Sequence, residues 1–589
     1  MSGLEGAAIS GEAPPPPDPG SPGGRPPDLS TRRGLAVMAC AIIVIGLETL
    51  AYLVHGPFEG TAARLWALGG CGFVGVGVAA IARAVAGAIR DRCLTTLIMA
   101  PAVCFVALWG ITGVEHVQLQ HEATQEVAAG LGGAQESGWN YTGVGHLGYP
   151  NRQYLIAALP SLFLGRGLLA LRLGFALPFL FGAFLFWAGA RDAWSRLPGG
   201  GAAAALATLS VPAFPYAIDH LRWYEQTIFP LAATLAAAGW LLIAIRRPSV
   251  TALLGLAWIG ALLGCSYTPA LASSGLLGVT LLWLAASSRR PTERRLAMGW
   301  MSVAAITVGF AALSFITRLD LFKEVDQTTV KAELAGPLRE AFAIFLFEVP
   351  KLFIPPALYL PIMAIVVLGL VGRLQLPGLA IAWWTLAVVA TTAILRGYAD
   401  PPPSFGMHRA LVVIPPLLLL TGWTGLHCLR ERAAPRTPRA ILAVLTILVL
   451  VQVAWNLASL NREYRPTLHE IVLADMIDQG RRLKIARDSR PTVVLLTDTS
   501  EFDNISDYLV YFYPGHRVVR LVEEAADLDR RGSVFVYADA DAASSLAATL
   551  PWLGAQAGAL IEYEHPEFPR RMLRWALNRV PPGASEPGE

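Results

Sequence analysis

Lysine is nearly missing from these 589 residues, which contain four: Lys323, Lys331, Lys351 and Lys484. Charge of either sign is scarce as well. At 15% charged, 54% hydrophobic and a mean hydropathy of +0.50, the chain lies outside the range of water-soluble globular domains. Cysteine is limited to Cys40, Cys71, Cys93, Cys104, Cys265 and Cys428, each within or at the end of an apolar stretch. That placement excludes a disulfide framework and supplies no metal-ligand spacing. No glycine loop for a nucleotide phosphate is present, so the polar carboxy-terminal part carries no nucleotide centre of that kind. The net charge of +3 comes from scattered loop arginines and gives no support for nucleic-acid binding. Charges inside the apolar stretches are few, Glu48 and Arg172 being the clearest, and no internal repeat is visible. Both absences speak against an ion pathway or a secondary carrier.

What the chain has instead is apolar runs. Thirteen are long enough to be read as membrane spans of roughly 20 residues: 34–54, 62–88, 93–113, 168–189, 200–218, 226–245, 249–266, 269–287, 296–316, 354–372, 376–395, 409–428 and 438–458. Arginines fall in every second gap: Arg32-Arg33, Arg90 with Arg92, Arg191 with Arg196, Arg246-Arg247, Arg289-Arg290 with Arg294-Arg295, Arg373, and Arg430 through Arg439. Such alternation is the positive-inside pattern of a multi-pass protein of the cell membrane, plasma or inner. It predicts a cytoplasmic amino end, with 114–152, 219–225, 317–353 and 396–408 outside. The run from Gln153 to Gly165 is shorter than a span and contains Pro160, so it reads as an interfacial or re-entrant segment. Residues 1–33, rich in proline and glycine, read as a disordered cytoplasmic tail.

After Ala458 the pattern changes. Asn461 to Arg490 is polar and charged, and short β-type runs follow at Thr492–Leu496, Arg517–Val522 and Ser533–Tyr537. Helical patterns lie near Asn504–Tyr513 and Ala542–Leu550. The expected architecture is therefore an α-helical polytopic membrane protein, 34–458, with a small α/β domain, 459–589, on the outer face. Asp498, Asp503, Asp539 and Asp541 follow the strand-like runs, where sites often form and where aspartate is also an ordinary turn residue.

The long outer segment 114–152 holds most of the candidate chemistry. Glu115 to Ala129 reads as a helix ended by Gly130, Gly132 and Gly133, and Glu115, Gln118, Glu122 and Glu126 share one stripe. A stripe of carboxylates can bind cations, act as a base, or face water. His116, His121, His146 and His220 lie on the same side without short ligand spacing. Arg222 and Glu225, three residues apart, can pair with each other or serve a site. Arg152 and Arg409, at span ends, can contact a ligand phosphate or snorkel to the headgroups.

Taken in order, these segments resemble a family. Glu122-Ala123 near the outer end of a span is followed by a glycine-rich stretch, then Gly148-Tyr149-Pro150-Asn151-Arg152-Gln153-Tyr154-Leu155, then Leu169 to Ala176 reading LALRLGFA. Leu221-Arg222-Trp223-Tyr224-Glu225 precedes a later span, and His408-Arg409-Ala410-Leu411 with Pro415-Pro416 opens one of the last. The set resembles the GT-C membrane glycosyltransferases, which include protein O-mannosyltransferases and lipid A aminoarabinose transferases. The likeness runs over about residues 95–458.

What the resemblance implies is transfer of a sugar from a polyprenyl-phosphate donor to an acceptor glycan, lipid or protein outside the cytoplasm. It assigns catalytic roles to Glu122, His121 and Glu225, and substrate binding to Arg409, His408, Arg222, Arg152 and Tyr149, with a divalent cation as the one possible cofactor. Other readings stay open: a catalytically degenerate relative, or a carrier of lipid-linked sugar or polysaccharide. The chain departs from the family pattern in three places. His121 stands where the family has aspartate, Asn151 replaces the second proline, and Ser266-Tyr267-Thr268-Pro269 lacks a lysine often found between two middle spans.

Overall fold

The computed structural model describes residues 59–91, 94–112, 151–195, 200–212, 228–264, 268–287, 294–317, 437–463, 468–485, 490–496, 505–521, 532–554, 558–564 and 569–579, with isolated positions at 124, 125, 127, 128, 131 and 524. Among the described residues ten helices lead in chain order: α1 Glu59–Arg90, α2 Leu94–Thr112, α3 Asn151–Leu164, α4 Leu168–Ala193, α5 Gly200–Leu209, α6 Ile228–Arg246, α7 Val250–Gly264, α8 Thr268–Ser287, α9 Arg294–Thr317 and α10 Thr437–Glu463. All but α3 coincide with an expected span, although α5 ends well before residue 218. The expected spans 34–54, 354–372, 376–395 and 409–428 lie outside the described residues. Within what is described, three stretches are long and apolar enough to cross a membrane: Cys71–Arg90, Leu168–Ala193 and Ile228–Arg246.

Helices dominate because a backbone in hydrocarbon must satisfy its own hydrogen bonds. Lipid offers no hydrophobic drive between helices, so they associate through small residues and hydroxyls. The α4–α6 contact shows the first device. A Cβ added at Gly182 would overlap the Ala232 carbonyl oxygen, one at Gly189 the Gly239 carbonyl, and one at Gly239 the Leu185 carbonyl. Further along, the Ser274 hydroxyl of α8 donates to the carbonyls of Gly260 (2.9 Å) and Thr307 (3.3 Å), joining α7, α8 and α9.

Helix α3 covers most of the Gln153–Gly165 run that was expected to be interfacial or re-entrant. At 14 residues it is about 21 Å long, against a core of about 30 Å. Ala157, Ala158 and Ser161 are buried against the protein, while Leu159, Leu162, Phe163 and Leu164 are exposed. Gly165, with φ of 74°, ends the helix in the left-handed conformation. The chain then turns through Gly167 into α4, and α3 packs back on it so closely that a Cβ at Gly174 would overlap the Ala157 carbonyl.

The opposite end of α4 joins two other helices. Arg191 pairs with Asp91, just past α1, and Arg247, just past α6, pairs with Asp192 at 2.7 Å. In each pair one side chain is exposed and the other largely covered. They place the arginine-bearing ends of α1, α4 and α6 together at one end of the bundle.

Helix α11, Leu468–Arg482, precedes a sheet built from β1 Thr492–Leu496, β2 Arg517–Val519, β3 Gly532–Asp539, β4 Ala559–Glu564 and β5 Pro569–Arg579. Helix α12, Ile505–Phe512, connects β1 to β2, and α13, Ala540–Thr549, and α14, Pro551–Gly554, follow β3. Strand order is β2-β1-β3-β5-β4, the first three parallel and the last two antiparallel to their neighbours. Val493 stands opposite Phe535 and Val494 opposite Val536. Both faces are covered, which explains the unbroken apolar runs in β1 and β3. Val493, Leu495, Phe535 and Tyr537 join the core shared with α11 and α12; Val494, Val534, Val536 and Ala538 pack with Leu546, Leu550 and Leu553 on the other side.

Three strands appear where strand-like runs were expected, with β2 shorter and β3 longer than anticipated. The β4–β5 hairpin was not anticipated at all.

The backbone contact of α4 with α6 makes a testable demand. Gly239→Val forces the two helices apart, and the protein in detergent should lose on the order of 1–3 kcal/mol, read as a lowered thermal midpoint. Gly75→Ala, where an added Cβ meets nothing within 4 Å, should leave the midpoint unchanged or raise it through helix propensity.

Candidate functional site

Of the eight residues singled out from sequence, Glu122, His121, Glu225, Arg409, His408, Arg222 and Tyr149 lie outside the described residues. Arg152 is the second residue of α3. The structure therefore defines the surroundings of the outer segment rather than its reactive groups.

Those surroundings converge on α12. Thr124, Gln125, Val127, Ala128 and Leu131 are helical, and the glycines expected to end that helix lie outside the described residues. Thr124 and Val127 are 0% exposed and Leu131 is 1% exposed. Spacings of three, four and seven residues put them on one buried stripe. The Thr124 hydroxyl donates to the Asp507 carbonyl at 3.1 Å.

One turn further along the same face of α12, the Tyr511 hydroxyl donates to the Gly167 carbonyl at 3.2 Å and lies 2.6 Å from the Ser161 hydroxyl. With its proton on the carbonyl, Tyr511 accepts the proton of Ser161. Tyr511 is itself fully buried and packs edge-on against Phe512, with ring centroids 4.9 Å apart. Helix α12 thus touches the segment behind Glu122, the α3 helix that opens with Arg152, and the corner leading into α4.

Arg172 lies five residues past that corner, 2% exposed, within the LALRLGFA stretch. It is not an isolated charge; it has an interacting partner. This end of α4 is opposite the end that carries Arg191 and Asp192.

A second set of polar contacts holds α11 to the sheet and ties α12 and the turn after it into the domain, none of which was foreseen from sequence. Tyr537, fully buried, donates to Asp475 of α11 at 2.7 Å, and Arg574 of β5 pairs with the same carboxylate oxygen at 3.3 Å. Burial and the adjacent Asp475 carboxylate push the Tyr537 phenol well above its ordinary range. Tyr513 donates to the Met476 carbonyl at 3.2 Å, and burial raises its phenol to about 12. Ser506, in the first turn of α12, is 3.0 Å from His516 Nε2, while His516 Nδ1 is 2.9 Å from the Tyr513 carbonyl. A carbonyl only accepts, so Nδ1 carries the proton and Nε2 receives the serine hydroxyl. The available signal was the amphipathic run Ile505-Ser506-Asp507-Tyr508-Leu509-Val510-Tyr511-Phe512, whose aromatic residues with polar tips suit a partly polar seat.

Among the described residues, no three or more His, Cys, Asp or Glu gather in a way that would hold a metal ion.

No protein-family model and no curated protein matches the chain. Solved structures similar to it include ArnT from Cupriavidus metallidurans bound to undecaprenyl phosphate, at 15% identity and a TM-score of 0.47, covering 82% of this chain and 98% of that one. The apo state of that ArnT gives 16% identity and a TM-score of 0.45, over 83% and 98%. The Archaeoglobus fulgidus oligosaccharyltransferase in complex with Zn and sulfate gives 11% and 0.41, over 81% and 72%. At these identities and TM-scores below 0.5 the likeness does not establish a shared mechanism, and the functional reading rests on this chain's own residues.

Burial holds the His516 imidazole below its ordinary value of 6.5, against smaller upward contributions from the Tyr513 carbonyl and Asp507. The unfolded chain then takes up a proton at higher pH than the folded one. The stability involved is present above about pH 6.5 and is lost as pH falls below it. Thermal unfolding followed between pH 7.5 and 5.5 should show a midpoint for the α/β domain that falls with pH, and His516→Asn should flatten that fall.

Proposed function

We propose that the chain is an integral membrane glycosyltransferase that moves a sugar from a polyprenyl-phosphate donor to an acceptor outside the cytoplasm. One observation carries this reading beyond the motifs. Three segments resembling the family, the stretch behind Glu122, α3 with Arg152, and the start of α4 with Arg172, meet around α12 at the end of the bundle away from the arginine-bearing helix ends. The amino-terminal tail and the arginine-bearing gaps are assigned to the cytoplasm, and the outer loop and residues 459–589 to the other side.

The donor's lipid lies in the bilayer and its phosphate at the outer interface. The acceptor hydroxyl attacks the anomeric carbon, the bond from that carbon to the phosphate oxygen breaks, and the polyprenyl phosphate leaves with the bonding pair. Glu122 takes the hydroxyl proton. On the helical reading of Glu115 to Ala129, Glu122 shares its stripe with Glu115, Gln118 and Glu126. His121 assists or orients the base, and Glu225 is a second acidic contact to acceptor or metal. Arg409, Arg222 and Arg152 hold the phosphate, because a guanidinium presents paired donors to its oxygens. His408 and Tyr149, in the same motif segments, line the substrate.

The second reading, a catalytically degenerate relative that binds without transferring, is favoured by His121 standing where the family has aspartate. A carrier is disfavoured by the scarcity of charge within the spans.

Transfer by purified protein from a polyprenyl-phosphate sugar separates these readings. Glu122→Gln should lower turnover by on the order of a hundredfold or more while donor binding is retained. Arg409→Ala should weaken donor binding, since the phosphate is present in the ground state too. His121→Asp should be tolerated. Undiminished turnover in Glu122→Gln would overturn the assignment of the base, and wild-type silence with every donor would favour the degenerate relative.

A further inference from the structure

Among the described residues, hydrogen bonds join α12 to three other parts of the chain. Its Asp507 carbonyl receives Thr124, two residues after Glu122 in the chain, and its Tyr511 hydroxyl bridges Ser161 of α3 and the Gly167 carbonyl at the start of α4. Asp507 and Tyr511 are four residues apart, so both contacts come from one face of one helix. Every side chain that makes these bonds is buried: Thr124 at 0%, Ser161 at 4% and Tyr511 at 0% exposure. Buried hydrogen bonds are costly to leave unmade. Elsewhere Ser506 bonds His516, in the turn before β2, and Tyr513, just past α12, bonds the Met476 carbonyl of α11, which ties α12 into its own domain.

We infer that α12 is a clamp: the α/β domain uses its Asp507–Tyr511 face to hold the segment that follows Glu122 in a fixed relation to the α3–α4 corner, and Tyr511 is a positioning residue for sugar transfer. This rests on the glycosyltransferase reading above. It assigns the domain a role in the reaction step itself, apart from any recognition of the acceptor. Two families of contact must be spaced correctly for transfer, the base with the acceptor hydroxyl and the arginines with the donor phosphate. The base lies two residues before Thr124, and one of the arginines, Arg152, lies on the helix whose far end carries Ser161. A misplacement of about 1 Å between them is enough to cost a large part of the rate, and α12 bonds both Thr124 and that far end of α3.

The test uses the full chain in lipid nanodiscs. Tyr511→Phe keeps the buried ring and removes the hydroxyl. Its kcat should fall by about tenfold, the scale of one to two buried hydrogen bonds, with the donor KM unchanged. The acid limb of the kcat–pH profile, which reports the base, should move; loss of folded protein alone would lower kcat in the same proportion at every pH. Ser161→Ala should give a smaller effect that vanishes in the Tyr511→Phe background, because the two share one bond.

Amide exchange supplies a reading independent of activity. The peptide spanning 124–131 should exchange faster in both Tyr511→Phe and Thr124→Val, with α11 and β1 through β3 unchanged. Ser506→Ala, in the first turn of α12, should leave that peptide as in the wild type. If Tyr511→Phe retains the wild-type kcat and the wild-type exchange at 124–131, the clamp is wrong even where transfer is observed. If the wild type transfers no sugar, the functional reading fails, and faster exchange at 124–131 in Tyr511→Phe still supports the coupling while unchanged exchange overturns it.

Discussion

Helix α4 is held along its whole length by groups that cannot shift independently. Backbone meets backbone where Gly182 and Gly189 lie against α6 and where Gly174 lies against α3. Its first residue follows Gly167, whose carbonyl receives Tyr511, and its last turn carries Arg191 and Asp192, which reach α1 and α6. Small-residue contacts of this kind are a main source of cohesion between helices in lipid, where burial of apolar surface gains nothing. Helix α4 is thereby fixed to its neighbours at both ends and between them. Its 26 residues put about 39 Å between the arginine-bearing end and the end on which the α/β domain sits.

That geometry gives the two ends different work. At one, partly exposed ion pairs such as Arg247 with Asp192 are individually weak, and the arginines matter by their number and side. At the other, polar contacts are buried and hydrogen-bonded: Tyr511 with Ser161 and Gly167, Thr124 with Asp507, and deeper in the domain Tyr537 with Asp475 and Arg574. Buried polar groups require a single arrangement, because each alternative leaves a donor or acceptor unsatisfied. The buried polar contacts thus gather where the α/β domain meets α3 and the start of α4.

Much of this was legible in the residues. Apolar runs marked α1, α2, α4 and α6 through α10 to within a few residues, since length and hydropathy decide a span almost by themselves. The brevity of Gln153–Gly165 and its proline separated α3 from the spans. β1 and β3 were visible as unbroken valine-rich runs, because a strand covered on both faces shows no alternation. β5 was hidden: Pro569-Arg570-Arg571-Met572-Leu573-Arg574-Trp575-Ala576-Leu577-Asn578-Arg579 is rich in arginine, leucine and alanine, residues that favour helix. Pairing with β3 over eight residues overrides that preference. The Thr124–Asp507 and Tyr511–Ser161 contacts join positions more than three hundred residues apart, and no local pattern encodes such a pairing. Motif order drew attention to Glu122 and Arg152; it carried no sign that the α/β domain would touch the chain beside them.

The account depends on the α/β domain and the outer segment sharing the face opposite the arginine-bearing gaps. Cysteine accessibility in intact cells measures this directly. Ser544→Cys, exposed on α13, should react with a membrane-impermeant maleimide added from outside, and Ser195→Cys, exposed at the arginine-bearing end of α4, should react only after the membrane is permeabilised. Labelling of Ser195→Cys from outside with Ser544→Cys protected would contradict the account.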